Sequence, residues 1–319
     1  MQVTASPIRI GATDHARILA QVQAWRGADM AIATVIDTWS SAPCPLGTHM
    51  LVHSDGRFIG SVSGGCVEGD VLARAAEVMA IGTHQIGRYG ISDGSAWEVG
   101  LPCGGDISVL IQPVAAHGFD PALLDRIAAA RARGISLMIG TDLDSGYSQA
   151  VSAPDARHFT NLYAPAKRAL IIGAVEIAIA LAGIARQLDV TPTIIDPRAR
   201  FLTAERFPGS ALDDRWPDEA VAALAPDDRT AIITLSHDPK IDDPALIAAL
   251  ATPAAYVAAL GSRKSHAARL DRLRAAGVDE AALTRIEGPA GVTINAISAA
   301  EIALSIAGGM VRAFNHGRR

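Results

Sequence analysis

Residues 168–196 read RALIIGAVEIAIALAGIARQLDVTPTIID, and this stretch decides the fold of the half of the chain that holds it. Residues 169–172 are uniformly aliphatic, a run suited to a buried strand and too short for a helix. Gly173 breaks the run, apolar residues return at helical spacing over 176–188, and 193–196 closes the unit as a second strand. Strand, tight turn, helix and strand in so short a span make a βαβ unit, in which the two strands lie parallel. The same alternation continues downstream, with strands expected at 230–235 and 255–260 and helices at 244–251 and 265–275. A last helix spans 298–313, where Ser298 and Glu301 have the spacing of a capping box. The fold expected for 166–319 is an open, doubly wound parallel sheet of Rossmann-like type.

Such sheets bind ligands beyond the carboxyl ends of their strands. Gly173 stands at the first such end, and Asp196 follows 23 residues later. In a dinucleotide site the glycine lets pyrophosphate approach the helix start and the acid takes the ribose hydroxyls, so NAD or NADP is one ligand to weigh. The turn reads Gly173-Ala174-Val175-Glu176, however. A β-branched residue stands where close approach is needed, and Glu176 brings negative charge to the phosphate position. A Rossmann-shaped scaffold with an altered ligand fits better. Three further loops belong to the same edge: Ser236-His237-Asp238, Gly261-Ser262-Arg263-Lys264 and 287–291. Amides, a hydroxyl and two cations converge in the second, which suits an anion. A solvated helix start capped by Ser262 is its plain alternative.

The first half has a different texture. A helix is expected at 15–26 with Asp14 as N-cap, then a buried strand at 31–38, a hairpin over 50–53 and 57–61, a helix running up to Gly82, and a strand at 107–114. Beyond these come a helix at 121–133 and short strands at 136–140 and near 147–152; Pro154 and Pro165 bracket a linker. The mixture makes 1–165 an α+β domain, with the boundary to 166–319 near residue 165. Within it, Ser63-Gly64-Gly65-Cys66-Val67-Glu68 and Cys103-Gly104-Gly105 pair cysteines with double glycines. Glycine lets a ligand reach the backbone and cysteine supplies a soft sulfur. Cys66 precedes a helix whose free amides would favour a thiolate and attract an anion, while a small buried cysteine filling a tight turn is the alternative. Cys103 lies in a polar loop and is the stronger candidate ligand. Cys44, between prolines, reads as incidental, His49 and His53 as surface residues, and Asp93, Glu98 and Asp106 as acid/base groups or plain loop carboxylates. No histidine stands at zinc-ligand spacing from these cysteines.

The net charge of −5 offers no footprint for nucleic acid, and with 4% aromatic residues the core has to be aliphatic. Three cysteines, no signal-like start and no apolar run of about 18 residues point to the cytoplasm and away from a membrane or a disulfide framework.

The segments SAPCPLGTHMLV, GSVSGGCVEGDVL, GLPCGGDISVLIQP, IIDPRARF, AYVAALGSRKSHAARLDRLRAAG and AEIALSI, in this order, resemble the XdhC/CoxI family across nearly the whole chain. The resemblance implies an accessory protein of molybdenum hydroxylases such as xanthine dehydrogenase, not itself an enzyme. Such a protein binds the molybdenum cofactor (Mo-molybdopterin or its cytosine dinucleotide form) and protects it while a cysteine desulfurase helps install a sulfido ligand. It then hands the cofactor to the apo-enzyme. Carried onto this sequence, the cofactor-handling residues are Ser63, Gly64, Gly65, Cys66, Glu68, Cys103, Gly104 and Gly105, with Gly173, Asp196, Arg198, His237, Gly261, Ser262 and Arg263 in the second half. Cys103 and Cys66 are the candidate molybdenum ligands. Family members commonly carry Gly-Ala-Gly-His where this chain has Gly173-Ala174-Val175-Glu176, and a basic residue where it has Cys44. Two other readings stand beside this one: an NAD(P)-dependent oxidoreductase, and a C-terminal half serving as a dimerisation platform, its final helix packing closely at Gly308-Gly309.

Overall fold

Two long apolar-rich segments, paired antiparallel, carry the first part of the molecule. The computed structural model describes residues 15–39, 44–90, 106–155 and 157–316, and the chain divides into units Met1–Pro165 and Ala166–Arg319. The N-terminal unit contains α1 (His15–Ala24), β1 (Met30–Trp39), β2 (His49–His53), β3 (Phe58–Gly60), α2 (Glu68–Ile81), β4 (Gln85–Tyr89), β5 (Asp106–Pro113), α3 (Pro121–Ala132), β6 (Leu137–Asp142), β7 (Ser148–Val151) and β8 (His158–Tyr163). Its main sheet has the order β3-β2-β1-β5-β4, with every neighbouring pair antiparallel. Side chains alternate across a strand, so β1 sends Ala31, Ala33 and Val35 to one core and Ile32 to another. The first core holds Val71, Ala75 and Val78 of α2; the second holds Ile18 and Val22 of α1 with Leu123, Leu124 and Ile127 of α3. A smaller antiparallel sheet, β7-β6-β8, completes the unit.

Two strands here escape the sequence patterning. β4, QIGRY, carries no clean alternation and is held by its pairing with β5. β8 lies inside the span 154–165 expected to be a linker, where it pairs with β6 from Leu137↔Tyr163 to Asp142↔His158. Asp14, the expected cap of α1, falls outside the described residues.

The C-terminal unit follows with β9 (Lys167–Ile172), α4 (Glu176–Gln187), β10 (Val190–Ile195), β11 (Ala211–Asp213), α5 (Pro217–Leu224), β12 (Thr230–Thr234), α6 (Pro239–Leu250), β13 (Tyr256–Ala259), α7 (Arg263–Ala275), α8 (Glu280–Leu283), β14 (Ile286–Glu287) and α9 (Ala299–Phe314). All pairs in the order β11-β10-β9-β12-β13-β14 are parallel, so the strand sequence reverses between β9 and β12. This is the Rossmann order with its switch point at that junction. Helices cover both faces: α4 and α9 contribute Leu181, Ile306 and Met310 to one layer, and α6 and α7 contribute Leu246 and Leu273 to the other. The protein is thus α/β, an α+β unit followed by a Rossmann-like one, as its sequence pattern implies. The capping box on α9 forms as expected. α6 begins five residues before the expected start, because Asp238 caps it at Lys240 N (3.0 Å) and Pro239 occupies its first position, leaving Pro244 inside. No helix among the described residues is long and apolar enough to cross a membrane.

Candidate functional site

Strand directions alone gather the chemistry of the N-terminal unit at one end of its main sheet. β1 ends there at Trp39, β3 at Gly60 and β4 at Tyr89, while β2 and β5 begin there at His49 and Asp106. The 61–67 turn therefore leaves from the same end at which β5 begins, three residues after Cys103. Cys103, Gly104, Gly105, Asp93 and Glu98 themselves lie outside the described residues. Among the described residues, 37–39 pair with β5 alone, and Trp39 at their tip is 75% exposed.

The turn is wound around Glu68. Oε1 accepts from Ser61 Oγ (2.5 Å), Val62 N (3.1 Å) and Ser63 N (2.9 Å); Oε2 accepts from Ser63 Oγ (2.5 Å), Gly65 N (2.9 Å) and Val67 N (3.2 Å). The two remaining amides also stay inside, Gly64 N on Ser61 Oγ and Cys66 N on Ser63 Oγ. Burial pushes the carboxyl of Glu68, 8% exposed, towards its neutral form; hydrogen bonds from Ser61 and Ser63 outweigh this and hold its pKa at about 2. A carboxylate so placed uses the donors that an external anion would need. The amides that the sequence reading assigned to a ligand are spent within the chain. What the turn presents outward is the exposed backbone of Gly64 and Gly65 and the half-buried thiol of Cys66.

Three residues at this sheet end, Cys44, Ser61 and Trp39, were missed or set aside in the sequence. Cys44 donates through Sγ to Ser61 O at 3.7 Å and packs, like Cys66, against the core beneath. Ser61 carries two of the turn's bonds. Trp39 could have been noticed as an aromatic at a strand end in an aromatic-poor chain. His49, expected at the surface, is buried, bonding Thr34 Oγ1 (2.9 Å) and Tyr163 Oη (2.7 Å). Residues of β1, β2 and β8 meet at this histidine, a long-range arrangement that local spacing cannot reveal.

In the C-terminal unit the switch-point crevice is rimmed by Gly173, Asp196, Ser236 and Gly261. Gly173 has φ +101°, and a Cβ there would lie 2.8 Å from Ser236 N, so only glycine fits. Asp196 is fully buried. Its Oδ2 accepts from Ala174 N (2.8 Å) and Arg198 Nη2 (2.7 Å), its Oδ1 from Arg198 N (2.9 Å) and Nε (2.8 Å). Burial raises its pKa and the Arg198 bonds more than offset that, for a net lowering. Four acceptor positions are filled, which is the capacity of a carboxylate, and a ribose finds none. Glu176 is exposed in the first turn of α4. His237 is exposed with φ +61° in the turn before α6. Ser262 caps α7 at Ser265 N (3.1 Å), and Arg263 is exposed beside it. Beneath these, Asp242 and Arg269, singled out by no motif, face each other at 3.9 Å. No three metal-ligating side chains cluster among the described residues.

The architecture defines an α+β unit with a cysteine-bearing turn joined in sequence to a Rossmann unit. The chain belongs to the XdhC/CoxI family: residues 24–90 match the XdhC and CoxI family and residues 169–310 match the XdhC Rossmann domain. Over 303 residues it is 31% identical to the molybdenum cofactor insertion chaperone PaoD of Escherichia coli K12, covering 92% of this chain and 86% of that one. It is also 28% identical to the uncharacterized protein YqeB of the same organism, covering 86% of this chain and 42% of the relative. A crystal structure from Bacillus halodurans, described as a xanthine dehydrogenase, superposes with a TM-score of 0.80 over 96% of this chain and 97% of that one; at 22% identity it speaks to the fold.

Proposed function

We propose that this protein is a non-catalytic carrier that binds the molybdenum cofactor and delivers it to a molybdenum hydroxylase of the xanthine dehydrogenase type. The observation that carries this reading is the 31% identity, over 92% of the chain, to a relative named as a molybdenum cofactor insertion chaperone. In the finer proposal, the carrier works in the cytoplasm as a homodimer and shields the cofactor while a cysteine desulfurase supplies a terminal sulfur. Chemistry at the sheet end supports it. The cofactor combines a flat pterin, a dithiolene-bound soft metal and a phosphate, and Trp39, the Gly64-Gly65 backbone and the Cys66 thiol offer an aromatic face, an open shelf and a soft donor. Cys103 is the second proposed sulfur donor.

The test is copurification. Protein made in cofactor-producing cells should carry molybdopterin, detected as its fluorescent oxidation product, and Cys103→Ala or Cys66→Ala should carry several-fold less. Equal, negligible amounts in wild type and variants would end the proposal. A nicotinamide-dependent oxidoreductase has the Rossmann strand order in its favour and the filled Asp196 carboxylate against it. Saturable NAD(H) binding that Asp196→Ala abolished would replace the carrier reading with that one.

A further inference from the structure

We propose that the turn between β13 and α7 binds a phosphate group, with the buried Arg269 as its charge partner from beneath and the amides of Arg263 and Lys264, which precede the capped Ser265 N, as its donors. This deepens the carrier reading and rests on it only for the identity of the molecule that brings the phosphate.

Arg269 is 4% exposed. Its Nη2 donates to Leu260 O at 2.7 Å, while Nε and Nη1 are buried with no acceptor at all. The nearest carboxylate oxygen, Asp242 Oδ2, is 3.9 Å from Nη2, too far for a hydrogen bond. The other oxygen of Asp242 is turned to the β12–α6 loop, where it accepts from Ser236 Oγ at 2.6 Å. A buried guanidinium normally has its donors filled, because stripping its water without replacement is costly. Burial disfavours the charged form of both partners, lowering the pKa of Arg269 and raising that of Asp242. The pair is therefore a poor mutual neutraliser.

The turn above is shaped to bring backbone onto this charge. Gly261 has φ +145°, and a Cβ there would lie 2.5 Å from Ser265 Oγ and 3.7 Å from Arg269 Nη2. One turn along the helix, His266 Nδ1 is also buried without a partner. The helix dipole adds positive potential at the same point. In this unit α4, α5, α6, α8 and α9 all place an acid in the first turn. α7 places none, and opens instead with Arg263 and Lys264. Elsewhere the chain supplies its own anion: Glu68 fills the 61–67 turn and Asp196 fills the turn after β9. At α7 the positive charge is assembled and the anion is left to come from outside. A phosphate monoester, on a pterin or on a nucleotide, has the charge and the oxygen acceptors for it.

The experiment titrates the cofactor-free full-length protein with inorganic phosphate, cytidine 5′-monophosphate and cytidine by calorimetry. Phosphate and the nucleotide should bind and compete, and cytidine should not bind. Tighter binding of the nucleotide than of phosphate assigns a nucleotide carrier; equal binding assigns the phosphate alone. Arg269→Met should weaken phosphate at least tenfold with an unchanged circular dichroism spectrum; if it fails to fold, R269M/D242N, which removes both buried charges, is read in its place. Absence of saturable phosphate binding by wild type, or a folded Arg269 variant within twofold of wild type, overturns the site. Phosphate binding without cofactor copurification would refute the carrier reading and leave this one standing; copurification without phosphate binding would do the reverse.

Discussion

Glu68→Gln tests whether the cysteine turn is built on an internal anion. The substitution keeps the shape of the side chain and removes one acceptor and the charge. Two of the four amides now satisfied by the carboxylate, those of Val62, Ser63, Gly65 and Val67, must then face an NH2 group. Hydrogen bonds to a charged acceptor are worth roughly 1.5–3 kcal/mol and a stranded buried donor costs about 1–3 kcal/mol. With the outer face of the turn open to solvent, which screens part of this, the expected loss is about 3 kcal/mol. For a unit of this size that lowers the melting temperature by roughly 6–12 °C. The pH dependence has a definite sign. The folded pKa of about 2 lies below the ordinary 4.5, so the carboxylate's contribution is complete above that ordinary value and is lost as pH falls from there towards 2. The assay is calorimetric melting of wild type and variant between pH 7 and pH 3, with amide hydrogen exchange at 62–67. The gap should be widest at pH 7 and narrow in acid, and the pair of amides left facing the NH2 group, Val62 and Ser63 or Gly65 and Val67, should lose protection in the variant. A gap under about 1 °C at pH 7, or one that does not change with pH, refutes the reasoning.

Three further outcomes follow from the C-terminal unit. Asp196→Asn leaves Arg198 and Ala174 N competing for one acceptor and should cost roughly 2–3 kcal/mol in urea unfolding, while NAD(H) calorimetry gives no saturable binding with wild type or variant. Gly173→Ala meets both an unfavourable φ and the Ser236 backbone, and should destabilise by about 2–4 kcal/mol in the same assay. Ser298→Ala breaks the capping box of α9 and should cost about 1 kcal/mol, recovered by Ser298→Asp.

The Rossmann half was legible because most of its longer elements announce themselves locally, the eight-residue α5 being the helix that was not expected. Aliphatic runs gave β9, β12 and β13, the Ser298/Glu301 spacing gave α9, and a lone Gly173 marked the first turn. What escaped were pieces that exist through pairing: β4 and β8, with polar or glycine-interrupted sequences, and β11 and β14, too short to show a period. The candidate sites were legible as positions and not as states. Asp196 and Glu68 carry the residue types a ligand site uses, but it takes the fold to bring Arg198 and the serines of the turn onto their oxygens. Arg269 was invisible for the opposite reason: it lies inside α7 at no motif position, and its importance comes from the acceptors it lacks.

The central place of β1 between β2 and β5 has a consequence for how this protein is made. β1, β2 and β3 are adjacent in sequence and can pair as soon as they leave the ribosome, whereas the pairing of β1 with β5 joins residues some seventy positions apart, a slow non-local step. Until β5 docks, the other edge of β1 is an open template for wrong partners, and the sheet end carrying Trp39 and the Cys66 turn lacks its remaining wall. If the proposed cargo is taken up at that end, loading has to follow synthesis of residue 113, where β5 closes the sheet.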